Sequence, residues 1–419
     1  MRVLWIVNVE LPDVARQRNV QVVIEGWLHQ LSHQLKNTND IEFSVACLSD
    51  VSYFNKIING IHYYSFCINE RKGRKIIEKI YDAVEPQLVH VWGSEYSHTY
   101  IALCVSKERG LLDHTVVSIQ GLVSVYAKHF TVGLPERIIH HRTFAECVGR
   151  NIYFNIADAK KNMEKRGKIE IQAIKMAKHC IGRTDWDLAC VMQINPLINY
   201  YVCNETLRVE FYSGQWSLER CQRHTIFYSQ AHYPVKGIHN LIEALPMIKK
   251  VFPDVKVKIV GEDIFCTTGI KNKLVKRSYQ QYLKKKIDQY GLSECMEWLG
   301  KLTAEQMKEQ YCDANVFVSA STIENSSNSI GEAMLLGVPI VASDVGGIKS
   351  LMEHNKEGIL YQETAPYMLA DGVIRIFKDD TLAMKLGENA KKRAQKTHDR
   401  EKNKQVLLDI YKKVYAEDS

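Results

Sequence analysis

The sequence predicts an α/β chain built on parallel sheets and divided into two domains. Three observations predict this. Strand-like apolar runs alternate with helix-like segments along nearly the whole length, the rhythm of strand–helix–strand units. The 419 residues are too many for one core and suit two domains of about 200 residues each. Finally, the stretch Ser319 to Ile348, SASTIENSSNSIGEAMLLGVPIVASDVGGI, reads as strand end, polar loop, helix, Gly-x-Pro stop and second strand.

Taken in order, the first half has strands predicted at Val3–Val7, Phe43–Cys47, Ile61–Phe66, Leu88–Val91, Thr115–Ile119 and Cys180–Gly182. Helices fit between them. In Gly26–Lys36, for example, Trp27, Leu28, Leu31 and Leu35 share one face at 3.6-residue spacing. The opening MRVLWIVN has one positive charge and a short apolar run before Glu10 and Asp13, so it reads as a first strand rather than a signal peptide. Strands in the second half fit Thr225–Tyr228, Val255–Val260, Met296–Leu299, Val316–Ser319, Ile340–Ala342 and Ile359–Tyr361, with a helix at Ile238–Lys250. Asp185 to Arg223 is rich in aromatics and Asn and lacks a clear period, so the domain crossing is expected near 200–220. This gives domains 1–205 and 206–399, followed by a polar helix in 400–419.

Composition narrows the functional classes. Apolar content of 46% and charge of 25% are ordinary for a globular chain, and no apolar run approaches the ~20 residues that span a bilayer. The eleven cysteines are scattered singly with no CxxC pair, as expected of reduced thiols in a cytoplasmic protein. The net charge of +7 is uneven. Lys160 to Lys178 carries seven basic residues and two acids, and Lys271 to Lys286 carries seven basic residues and none. Either stretch could lie on an anionic membrane surface or form a solvated helix face. No recognised nucleic-acid-binding module accompanies either stretch, so nucleic acid is not expected as a partner.

The chemistry concentrates in the Ser319–Ile348 stretch. By position, the backbone N–H groups of Ser327, Asn328, Ser329 and Ile330 point out of a helix start, where the dipole favours a diphosphate. Glu332, one turn in, can accept paired hydroxyl donors such as those of a ribose. Glu324, at the strand end, faces whatever the phosphates carry. An ordinary crossover helix with a polar N-cap is the alternative for the same residues.

The pattern SASTIE ending at Glu324, seven residues, then EAM, a Gly-x-Pro-hydrophobic run and DVGG resembles the donor site of family-four retaining glycosyltransferases. The resemblance implies GT-B architecture: two Rossmann-like, doubly wound domains facing each other across a cleft, with the terminal helix crossing back to the first domain. It covers the second domain well and the first in outline. It also implies a Lys-Gly step after the second domain's first strand, matched by Lys236-Gly237 in TIFYSQAHYPVKGIHNLIEAL. A lysine meets diphosphate oxygens as a point charge, and the glycine lets backbone approach.

The departures from the pattern are specific. Ala231 stands where the family usually has an arginine, with Gln230 before it; His232, Lys271 or Lys273 could substitute. The family's Gly-Gly loop in the first domain is Glu25-Gly26 here. A frequent histidine is replaced by Gln120, which can bond a hydroxyl but cannot shuttle a proton near neutral pH. The run Ile181-Gly182-Arg183-Thr184-Asp185-Trp186-Asp187, with Asn204 to Arg208 after it, resembles a bacterial polysaccharide subgroup; it could line a cleft or form a buried polar network.

By resemblance, Glu324 and Lys236 are the catalytic candidates. Glu332, Asn328, Ser329, Ile330, Gly237 and Gly26 bind the donor, Gln120 lies on the sugar or acceptor side, and Gly261-Glu262 and Leu299 to Leu302 hold the base. No metal and no other cofactor is implied, since Lys236 and the helix start at Asn328 neutralise charge. The implied activity moves a sugar from a nucleotide-diphosphate donor, a UDP-sugar foremost, to a lipid-linked or polysaccharide acceptor of a bacterial surface, at the cytoplasmic face. Attack comes from the face the leaving group departs from, with the diphosphate as base. Two rivals remain at this stage: a sugar-nucleotide epimerase of the same architecture, and a catalytically silent partner in a polysaccharide assembly, the latter motivated by Ala231, Glu25 and Gln120.

Overall fold

The computed structural model describes residues 1–17, 26–38, 40–49, 54–67, 70–148, 155–261, 263 and 278–416. Glu25, Glu262, Lys271 and Lys273 lie outside them. The chain forms two compact units: residues 1–125, 164–209 and 398–419, and residues 126–163 and 210–397.

In the first unit the strands are β1 (Arg2–Val7), β2 (Glu42–Leu48), β3 (Asn55–Ile58), β4 (Ile61–Phe66), β5 (Leu88–Trp92), β6 (Thr115–Ser118), β7 (His179–Gly182) and β8 (Asn199–Val202). They lie in the order β3-β4-β2-β1-β5-β6-β7-β8, parallel except for β3, which pairs antiparallel with β4. The central strands read as unbroken apolar runs because both faces are covered. Along β1, Val3, Trp5 and Val7 enter one core while Leu4 and Ile6 enter the other. The helix Arg400–Ala416 adds Leu407, Tyr411 and Val414 to the first of these cores. Tyr411 Oη accepts from Trp5 Nε1 at 2.7 Å and meets His90 Nδ1 at 2.6 Å.

The second unit holds β9 (Gln222–Tyr228), β10 (Lys256–Ile259), β11 (Met296–Trp298), β12 (Ala314–Ser319), β13 (Ile340–Ser343) and β14 (Ile359–Tyr361), in the order β11-β10-β9-β12-β13-β14. All its ladders are parallel. Numbered from its own first strand this is 3-2-1-4-5-6, the doubly wound order in which the chain reverses direction between strands 1 and 4. The crevice at such a reversal, outside the strands' carboxyl ends, is where open α/β sheets bind ligands. Here it falls between β9 and β12.

Two features differ from the sequence reading. Residues 126–163, expected in the first domain, cluster with the second unit. Polar contacts explain this: Tyr126 Oη accepts from the Asn325 N–H at 2.8 Å, His239 Nε2 meets the Val132 carbonyl at 3.1 Å, and Glu146 accepts from the Ser278 N–H at 3.0 Å. None of these has a periodic signal. Within Asp185 to Arg223, where the sequence has no clear period, Asp185–Ile194 is a helix and Asn199–Val202 an edge strand. Thr184 and Asp187 form a capping box that starts this helix, a spacing legible in the sequence.

Candidate donor site at the carboxyl edge of the second sheet

The loops that leave β9 and β12 are tied to each other. The Thr322 N–H donates to the Val235 carbonyl at 2.8 Å. Gly237 sits at φ +71°, and a Cβ there would lie 1.8 Å from the Ala320 carbonyl oxygen. Only glycine permits both the left-handed backbone and that approach. So the glycine of the Lys-Gly step seats one loop against the other. It also caps the helix Ile238–Val251.

Docking the loops in this way brings Lys236 to Glu324. Lys236 Nζ donates to Glu324 Oε1 at 2.7 Å, with the side chains 19% and 10% exposed. Ser321 Oγ donates to the same oxygen at 2.8 Å. Burial opposes the charge on Lys236, but the adjoining Glu324 carboxylate outweighs it and holds the ammonium above the ordinary lysine range. The Glu324 backbone is fixed as well. Its carbonyl accepts from the Gly347 N–H at 3.0 Å, and a Cβ on Gly346 (φ +52°) would meet that carbonyl oxygen at 2.0 Å. The DVGG turn therefore needs its first glycine in order to hold Glu324.

The helix Asn328–Leu336 begins four residues beyond Glu324, with Ser327 as N-cap. Asn328 and Ser329 are half-buried at its mouth; the Ile330 side chain is fully buried, leaving only its backbone to serve a ligand. The Tyr311 hydroxyl donates to the Ser329 carbonyl at 3.0 Å, fixing the first turn. Glu332 is 4% exposed and Glu324 8% exposed, so neither carboxylate faces bulk water. A cation, a bound pair of hydroxyls or a hydrogen-bonded network must meet such groups.

The structure thus collects Lys236, Gly237, Glu324, Asn328, Ser329, Ile330 and Glu332 in one unit, at the strand ends that flank its reversal point. Gly26 and Gln120 belong to the other unit. Gly26 opens the helix Gly26–Leu35, and a Cβ there would meet the Arg208 side chain at an ordinary 3.4 Å, so its local packing does not demand glycine. Gln120 follows β6 and accepts from Asn8 Nδ2 at 3.1 Å. His232 is exposed beside Gly261, whose N–H donates to the Gly300 carbonyl at 3.0 Å.

Of the two readings for Arg183 to Asp187, the buried network is the one present. Arg183 pairs with Glu205 at 2.6 Å, the two side chains 5% and 7% exposed, and donates to the Gln120 carbonyl at 2.9 Å. Trp186 packs against the core. Residues that sequence reasoning missed are those that hold the site: Ser321 on Glu324, Thr322 on the Val235 carbonyl, and Tyr126 on the Asn325 N–H. The first two lie inside the quoted motif; Tyr126 carries no local signal.

Residues 217–393 match the family described as glycosyl transferases group 1. Over 177 residues the chain is 28% identical to an uncharacterized glycosyltransferase of Methanocaldococcus jannaschii, covering 42% of each protein. It is 27% identical over 152 residues to the putative colanic acid biosynthesis glycosyltransferase WcaL of Escherichia coli, covering 35% of this chain and 34% of that one. The chain therefore spans less than half the length of these relatives. In fold it resembles Anabaena HepE, crystallised with UDP-glucose, at a TM-score of 0.69 and 16% identity, over 98% of this chain and 99% of that one. The chain takes the GT-B fold, and its residues 217–393 match the glycosyl transferases group 1 family.

Proposed function

We propose that the protein is a retaining glycosyltransferase that moves a sugar from a nucleotide-diphosphate donor, with UDP-sugars first in order, to a lipid-linked or polysaccharide acceptor in bacterial surface polysaccharide synthesis. The observation that carries this reading is the Lys236–Glu324 pair at 2.7 Å, beside a helix start and at the reversal point of the second sheet. The family match over residues 217–393 supports the reaction class. The relatives named above support a nucleotide-sugar donor and a polysaccharide product.

In this reading Lys236 and the N–H groups of Asn328, Ser329 and Ile330 meet the diphosphate as it leaves. The lysine stays protonated through the reaction because Glu324 is its standing partner. Glu332 takes the ribose hydroxyls. Glu324 lies against the transferred sugar and stabilises positive charge that develops at the anomeric carbon. The acceptor hydroxyl attacks on the face the diphosphate leaves, and the diphosphate oxygen takes its proton. No metal is required, since the lysine and the helix start supply the neutralising charge. Basic residues of the helices Ile156–Met176 and Ser278–Gln289 would hold the protein to an anionic membrane surface where a lipid-linked acceptor resides.

A thermal-shift panel of UDP-, GDP-, ADP- and dTDP-sugars tests the donor. A ligand selective for the folded chain raises its melting temperature with RT ln(1 + [L]/Kd). A selective rise with one UDP-sugar is expected; no rise with any nucleotide sugar contradicts the reading.

A further inference from the structure

In the first unit, Asp13 stands in the short helix Pro12–Gln17 after β1, while His29 and His33 stand in the helix Gly26–Leu35. A spacing of four puts both imidazoles on one helix face, and their ring centroids are 4.5 Å apart. That face meets the carboxylate of Asp13, which is 3% exposed. His33 Nε2 lies 2.7 Å from Oδ2 and His29 Nε2 lies 3.1 Å from Oδ1. The three ligand atoms fall within 4.8 Å of one another.

His33 Nε2 is hydrogen-bonded to Asp13 Oδ2, whereas the buried His29 Nε2, 3.1 Å from Oδ1, lies outside hydrogen-bond geometry. A hydrogen-bonded pair aims the N–H along the line to the oxygen. A shared cation would replace the His33 hydrogen bond and take the lone pairs of both imidazoles at a third point, toward which only His29 is already turned off that line. Asp13 is also held, as metal-ligating carboxylates are, by further hydrogen bonds to its oxygens. Tyr63 Oη donates to Oδ2 at 3.0 Å and Asn59 Nδ2 to Oδ1 at 3.4 Å. The Arg16 guanidinium, 3.8 Å from Oδ1, is 72% exposed and can turn into water.

We propose that Asp13, His29 and His33 bind one transition-metal dication, Zn²⁺ by preference, with water completing a tetrahedral shell. Two imidazoles and a carboxylate are a donor set zinc accepts, whereas Mg²⁺ and Ca²⁺ favour all-oxygen shells. The ion ties the helix that precedes residues 18–25 to the helix that follows them. Its role is structural and independent of the sugar-transfer reading.

The test is calorimetric titration of ZnSO₄ into the full chain after chelator dialysis, with Co²⁺ absorption as a second readout. One ion per chain is expected, with a raised melting temperature and Co²⁺ d–d bands free of thiolate charge transfer. The His29→Gln/His33→Gln variant loses the site. Tyr63→Phe keeps the ligands and the core packing but weakens binding by roughly 10-fold or more, and it carries the test if the double variant does not fold. Absence of binding at micromolar Zn²⁺, a thiolate charge-transfer band, or wild-type affinity in either variant overturns the proposal.

Discussion

Replacing Lys236 with Met should destabilise the second unit through the carboxylate it abandons. Glu324 is 8% exposed and, with the lysine gone, keeps only the Ser321 hydroxyl on Oε1. At an effective dielectric near 20, a pair of unit charges about 4 Å apart attract by roughly 4 kcal/mol. Removing one partner of a buried pair costs about 3–5 kcal/mol, because the other stays charged and dry. Glu324→Gln should cost a similar amount by stranding the ammonium. The double variant Lys236→Met/Glu324→Gln should cost less than either single change, since no lone charge remains. The coupling is therefore expected to be at least about 3 kcal/mol. In a domain of 150–250 residues each kcal/mol moves the melting temperature by roughly 2–4 °C, so each single variant should melt roughly 6–20 °C lower. Scanning calorimetry of the four proteins measures this directly. Additive losses, agreeing within about 0.5 kcal/mol, would refute the pairing.

Other expectations follow from the same geometry. Gly237→Ala should cost at least ~3 kcal/mol, because it adds a clash with the Ala320 carbonyl to the ~1–2 kcal/mol of a left-handed residue. Gly300→Ala, at φ +70° with nothing within 4 Å, should cost only the backbone part, and calorimetry of the two variants separates the contributions. His98, His239 and His398 are each pushed down to about 4 by burial. The unfolded chain takes up these protons first, near 6.5, so stability is full above that pH and falls as pH drops toward about 4. The slope is about 1.4 kcal/mol per pH unit for each group. His239→Gln should flatten melting temperature against pH in that window; an unchanged slope would remove His239 from the explanation.

The second unit was largely legible because its signals are local. Strand, loop, helix and strand follow one another within Ser319–Ile348, and each boundary has its own residue: Ser327 before the helix, Gly337 after it, Gly346 in the turn. Lys236-Gly237 was legible by position but not by reason, since the glycine answers to the Ala320 carbonyl eighty-three positions on. Long-range contacts of that kind leave no period. Tyr126 on Asn325 and Glu146 on Ser278 are others, and they carry 126–163 into the second unit against the sequence division. The Asp13–His29–His33 cluster had a readable half, two histidines four apart on an amphipathic helix. Its third member comes from another helix, and only folding brings it there.

In the proposed reading, Glu332 and the helix start beside it grip an activated sugar. Calorimetric titration of the donor selected by the thermal-shift panel into wild type and Glu332→Ala tests it most directly. A loss of donor affinity of about 10-fold or more, near 1.4 kcal/mol, with the fold intact by circular dichroism, is the predicted result. Equal affinity in the two proteins would contradict it.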